Sequence, residues 1–177
     1  MGSKFKVAGL LALGAVAGAL TTMQLQATAR NSLASLPLED IQRLTDVFER
    51  IKASLKWVTG NAAVSGRTVA VQGVGAVGLH LVQHLVDGGA KVIVADIDQE
   101  NVRRVTTRLT GVEAVAADAI YDVPCDVFAP CALGAVVNDD TIKRLKCQII
   151  AGSANNVLAD EDRHAEELAR RNLLYEI

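Results

Sequence analysis

Short apolar runs, most of them Val, Ile, Leu or Ala, recur at positions 68–72, 91–95, 112–115, 125–129, 148–151 and 173–175. Their length and their lack of polar alternation suit strands buried on both faces. Between them the apolar positions fall three or four apart. Val77, Leu81 and Leu85, flanked by Val82 and Val86, mark one such helix, and Gly88 and Gly89 end it. Further helices are predicted over 99–109, 139–145 and 160–171, the first and last strongly charged. Strand and helix in alternation predict an α/β domain of the Rossmann type, a doubly wound parallel sheet of about six strands.

Two segments precede this alternation. Leu38, Ile41, Leu44, Phe48, Ile51 and Leu55 form a stripe at helical spacing, with Pro37, Glu39 and Asp40 at its start and Gly60 at its end. This amphipathic helix needs a partner for its stripe, either the α/β core or another chain, so a homo-oligomer is open. Before it, Lys4 and Lys6 lead into an uninterrupted apolar run over 7–20, and Ala27-Thr28-Ala29 follows. A basic start, an apolar run and an A-x-A site read as a secretory signal peptide. Residues 4–23 also read as a short membrane anchor, or as a buried helix of a soluble protein. The expected organisation is a signal peptide or anchor over 1–30, a linker and amphipathic helix over 31–60, and a dinucleotide-binding domain over 61–177.

The candidate chemistry lies where the first strand meets its helix. Gly73-Val74-Gly75-Ala76-Val77-Gly78 is a full G-x-G-x-x-G between a strand and a helix, with Asp96, and Ile97 beside it, about 20 positions on. The first glycine allows a tight turn, the second lets a pyrophosphate approach the backbone, and the third lets helix and strand pack closely. The amides and dipole at the helix start are expected to hold the phosphates. Asp96 is expected to accept hydrogen bonds from the adenosine ribose. With Asp98 nearby it would repel a 2'-phosphate, so NAD is the expected cofactor. Two more loops, 129–134 and 151–156, follow strand ends, where such sheets bind ligands. They read either as cofactor contacts, with Asn155 and Asn156 as hydrogen-bonding groups, or as plain connections.

Composition narrows the classes. A net charge of -2 gives no basic footprint for nucleic acid. Cys125, Cys131 and Cys147 are odd in number and lack C-x-x-C spacing, so they read as buried thiols in a reducing compartment. His80 and His84 lie four apart without an intervening glutamate, and read as surface or rim residues with no metal site.

Three motifs in order, VAVQGVGAVG, CDVFAPCALGAVV and IIAGSANNVLAD, resemble the nucleotide-binding half of the glutamate, leucine, phenylalanine and valine dehydrogenases, its phenylalanine members above all, from about Trp57 to Tyr175. The resemblance implies NAD-dependent oxidative deamination of a hydrophobic L-amino acid such as phenylalanine or leucine. It implies that Gly73, Val74, Gly75, Ala76, Val77 and Gly78 hold the pyrophosphate and that Asp96 and Ile97 meet the adenosine ribose. Pro130, Cys131 and Ala132 would flank the nicotinamide ribose, and Ala154 and Asn155 the nicotinamide, with Asn155 or Asn156 reaching the substrate amino group. The family's substrate domain, with its glycine-rich segment and catalytic lysines, has no counterpart here: Lys52 and Lys56 sit in no such context, and the chain stops at Ile177. Binding without turnover is therefore expected. A different class, a non-catalytic dinucleotide module perhaps tethered to a membrane, is the alternative. Separately, LPLEDIQRLTDVFERIK and the apolar leader resemble the start of bacterial carboxyl-terminal processing proteases, which implies a chimeric chain and no peptidase function.

Overall fold

The structure, a computed structural model, describes residues 37–176. Its elements are α1 (Leu38–Thr59), β1 (Thr68–Gln72), α2 (Ala76–Asp87), β2 (Lys91–Ala95), α3 (Gln99–Arg108), β3 (Val112–Ala114), a 3-10 turn (Ala119–Asp122), β4 (Val127–Pro130), β5 (Ile149–Ala151), α4 (Glu161–Arg170) and β6 (Leu174–Glu176). The six strands form one sheet in the order β3-β2-β1-β4-β5-β6, and every neighbouring pair is parallel. The order reverses between β1 and β4, and ligands of such sheets bind in the crevice that opens at this point.

The apolar runs are continuous because both faces of the sheet are covered. Val69 and Val71 of β1, Val92 and Val94 of β2, Val127 and Ala129 of β4, and Ile149 and Ala151 of β5 pack on one side with Leu81, Val82 and Leu85 of α2. The intervening Ala70, Ile93, Phe128 and Ile150 pack on the other with Ile120, Val137, Ile142 and Leu168. The period of two along each strand thus feeds two separate cores.

The predicted amphipathic helix forms and finds its partner in the α/β core. Leu44, Val47, Ile51 and Leu55 of α1 are buried in the same cluster as β1 and β5. Each such side chain contributes about 1.5–3 kcal/mol. The stripe's first turn differs from expectation: Leu38 and Ile41 are exposed, and Val47 takes part instead. Burial among the described residues thus begins at Leu44, in the second turn of the helix.

Three further expectations need correction. Residues 139–145 form hydrogen-bonded turns and no helix. Asn138 Oδ1 accepts from the Asp140 and Thr141 amides at 3.0 and 3.1 Å, and Thr141 Oγ1 donates to the Val136 carbonyl. In so short a segment these side-chain bonds outcompete helix nucleation. Pro130 does not stop β4 but is its last residue, in register with Gln72. The fourth strand also begins at Val127, because Asp126 turns aside to accept from the Thr68 amide at 2.8 Å and from Arg67 at 3.2 Å. The leader expected over 1–30 lies outside the described residues. Among the described residues no helix is long and apolar enough to cross a membrane.

Candidate functional site

Gly73 leaves β1 with φ of 90°, a left-handed conformation that side chains rarely adopt. A Cβ there would also lie 2.6 Å from both the Cβ and the amide nitrogen of Ala132. The turn is thus wedged against the loop after β4. A Cβ on Gly78 would come within 2.1 Å of the Gly73 carbonyl oxygen, so the third glycine sets the spacing of α2 against the turn. Gly75 differs from both. An added Cβ would meet nothing within 4 Å.

That open space lies at the start of α2. Gly75 is the cap residue, no side chain caps the helix, and its first turn holds no acidic residue. The orphan amides and the positive dipole end therefore face the crevice without internal compensation. Asp96, at the end of β2, accepts from the Val74 amide at 2.7 Å through Oδ2 and from the Asp98 amide at 2.8 Å through Oδ1. The Asn101 side-chain amide donates to Oδ2 at 3.4 Å, a long contact, and a carboxylate with about four acceptor sites still has capacity for another donor.

A groove of about 640 Å³ runs across the carboxyl ends of the strands. Gly73, Gly75, Asp96 and Ile97 line one end, Cys131 and Ala132 the middle, and Ala154, Asn155 and Asn156 the other end. The structure thus brings together nine of the predicted residues. Val74, Ala76, Val77, Gly78 and Pro130 are not in its wall. Val74 is fully buried and serves through its amide, and Pro130 accepts a hydrogen bond from the Ala154 amide at 3.1 Å. Ile97 and Leu133 are 90% and 94% exposed, two bare aliphatic side chains at the rim.

Five residues of the wall were not singled out from the sequence: Arg43, Gln72, Leu133, Gly134 and Ser153. Gln72 ends β1 with a buried Oε1 that has no hydrogen-bond partner among the described residues. An orphaned buried acceptor at a groove is a place for a ligand donor. Ser153 hydrogen-bonds Cys131, whose thiol is nonetheless pushed up by burial and stays protonated at neutral pH. Arg43 reaches the Asn155 end from α1. Its only sequence signal is the spacing to Arg50, two turns along one helix face.

The histidines stay outside this groove. His84 packs beside Phe48, with ring centroids 5.7 Å apart, and burial lowers the pKa of His80, helped by His84, Arg108 and Arg104.

With this geometry in hand, comparison with known proteins is specific. A leucine dehydrogenase of Thermoactinomyces intermedius is 50% identical over 129 residues, which are 73% of this chain and 35% of that protein. A phenylalanine dehydrogenase of the same organism is 43% identical over 130 residues, again 73% of this chain and 35% of the relative. The leucine enzyme therefore shares more with this chain than the phenylalanine enzyme does. The crystal structure of L-tryptophan dehydrogenase from Nostoc punctiforme superposes with a TM-score of 0.74 at 39% identity, covering 76% of this chain and 40% of that one. The chain spans about a third of the length of these curated relatives. None of these matches supports a chimeric origin. The family model for Glutamate/Leucine/Phenylalanine/Valine dehydrogenase matches residues 47–175, beginning ten positions before Trp57, inside α1. The chain belongs to the glutamate, leucine, phenylalanine and valine dehydrogenase family.

Proposed function

We propose that this domain binds NAD and is the nucleotide-binding part of a dehydrogenase acting on a hydrophobic L-amino acid. One observation carries the reading: the open space at Gly75 beside an uncompensated helix start, with Asp96 in the same groove. The diphosphate would sit on the first amides of α2, and the adenosine ribose would donate to the free lone pairs of Asp96. A 2'-phosphate at that position would meet the carboxylates of Asp96 and Asp98, which favours NAD over NADP. The exposed Ile97 and Leu133 would cover the faces of the adenine.

The nicotinamide would lie toward Ala154 and Asn155, where the orphaned Gln72 and the Asn side chains offer hydrogen-bonding groups. Bound there, NAD supplies the acceptor for a hydride from the substrate α-carbon. The relatives named for leucine, phenylalanine and tryptophan point to substrates of that type. Among the described residues the titratable groups of the wall are Arg43, Asp96 and Cys131. The Arg43 guanidinium is a hydrogen-bond donor only, Cys131 is held neutral, and Asp96 stands at the opposite end from Asn155, so among the described residues the wall offers no general base beside Asn155. The chain by itself is therefore read as binding without turnover. The same wall composition favours a second reading, a dinucleotide-binding module without catalysis.

Titration of NAD into the full chain, followed by heat and by thermal unfolding together, tests the proposal. Saturable binding with a raised melting temperature supports it, as linkage requires for a ligand of the folded state. Absence of binding overturns it.

A further inference from the structure

Two of the three cysteines stand opposite each other where β4 and β5 begin. Pro124 bridges Lys146 and Val127 pairs with Ile149, both in parallel register, which sets Cys125 against Cys147. The Cys125 amide donates to the Lys146 carbonyl at 3.2 Å, so the two backbones are joined at this point. Adjacent strands run about 4.8 Å apart, inside the range of about 4.4–6.8 Å that a disulfide needs between its Cα atoms. Strict alternation would send both side chains to the face of Val127 and Ile149. The Asp126 carbonyl instead accepts from both the Gln148 and the Ile149 amide, at 3.2 and 3.1 Å, which marks a break in that alternation. Both cysteines lie with Phe128 and Ile150 on the other face. The two thiols are free, and they share a hydrogen bond.

We propose that Cys125 and Cys147 are a thiol pair oxidised by hydrogen peroxide, whose disulfide staples β4 to β5 at the end of the sheet away from the groove. The staple is independent of the dinucleotide site: Cys131 of the groove wall lies six residues further along the chain, up to about 20 Å when extended. Cys147 is the attacking sulfur. The hydrogen bond from Cys125 lowers its pKa, burial opposes this, and Arg171 adds to the lowering. The buried Nη1 of Arg171 has no hydrogen-bond partner among the described residues. Cys147 is 8% exposed and Cys125 is half-buried, which gives a small oxidant its way in. The Cys147 thiolate takes one peroxide oxygen, the O–O bond breaks, and the departing hydroxide recovers a proton as water, leaving a sulfenic acid. The Cys125 sulfur then attacks that of Cys147. The S–S bond forms, the S–O bond breaks, and the Cys125 proton leaves with the hydroxyl as a second water. Two thiols and one peroxide thus become one disulfide and two waters, and a dithiol reverses the change by exchange.

The experiment treats the full chain with hydrogen peroxide, blocks the remaining thiols, and maps the cysteines by mass spectrometry. Cleavage before aspartates separates Cys125 from Cys131 at Asp126. The expected product has a Cys125–Cys147 link within one chain, keeps Cys131 as a free thiol, and reverts with dithiothreitol. Its melting temperature should rise by about 5 °C or more, because the link closes a loop across two strands. Cys125→Ser should lose this rise and leave a sulfenic acid on Cys147 that dimedone traps, whereas Cys147→Ser should lose the rise and trap no dimedone. Treated parent chain without the Cys125–Cys147 link, or with links to Cys131 or between chains in its place, overturns the proposal, and this result requires no variant to fold. A link that leaves the melting temperature unchanged overturns the staple. Dimedone trapped on Cys125 of Cys147→Ser, with none on Cys147 of Cys125→Ser, overturns the choice of attacking sulfur.

Discussion

The Val74 amide donates to Asp96 Oδ2 at 2.7 Å, which ties the glycine turn after β1 to the end of β2. The carboxylate proposed to select the cofactor is therefore also a brace for the turn. Asp96→Ala should weaken NAD binding, relax its preference over NADP, and lower stability by about 1–3 kcal/mol, since the Val74 and Asp98 amides lose their acceptor. Paired NAD and NADP titrations with urea unfolding measure both effects. Unchanged affinity for both cofactors would remove Asp96 from the site.

Gly73 and Gly75 separate folding from binding. Gly75→Ala places a methyl group in open space and should unfold like the parent chain while weakening NAD roughly tenfold or more. Gly73→Ala puts a side chain at φ of 90° and 2.6 Å from Ala132, and should cost at least about 1–3 kcal/mol. Urea unfolding distinguishes the two. Equal destabilisation would contradict the open space at Gly75.

Ile51 is fully buried between α1 and the sheet. Ile51→Ala should destabilise the domain by about 2–5 kcal/mol. A loss below about 0.5 kcal/mol, the range of surface substitutions, would mean that α1 is not part of the folded unit.

The Arg144 guanidinium holds the carboxyls of Asp118 and Asp122 below the usual carboxylate range through hydrogen bonds of 2.9 and 2.6 Å. The folded values lie below the unfolded ones, so their contribution is present above the unfolded carboxylate range and fades as pH falls through the depressed values. Arg144→Gln should flatten stability against pH below about pH 4 and leave its shape at pH 7 unchanged. Melting temperatures from pH 2 to 7 check this.

How far the sequence told the fold depended on the distance over which each element is decided. The G-x-G-x-x-G, the apolar runs and Asp96 are local signals, and all lead to the observed strands, turn and groove. The failures are of two kinds, a local competition that periodicity does not encode and contacts settled far along the chain. Residues 139–145 lose their helix to the side chains of Asn138 and Thr141, and in α1 Val47 is buried while Leu38 and Ile41 of the predicted stripe are exposed. Arg43 could not be placed at the groove from its neighbours, because only the docking of α1 near β5 brings it to Asn155.

That docking has a consequence for how the chain is made. Helix α1 is the first described element to leave the ribosome, and it rests against α2 and against β5 and β6, the last two strands in sequence. Leu44, Val47, Ile51 and Leu55 share their cluster with Leu81, Val82 and Leu85 of α2, made soon after, but the part of that cluster supplied by β5 is added only when almost the whole chain has been synthesised. Closure of the core is a late event in translation, and a ribosome that stalls before Ile149 releases a sticky, unfinished sheet that invites chaperones.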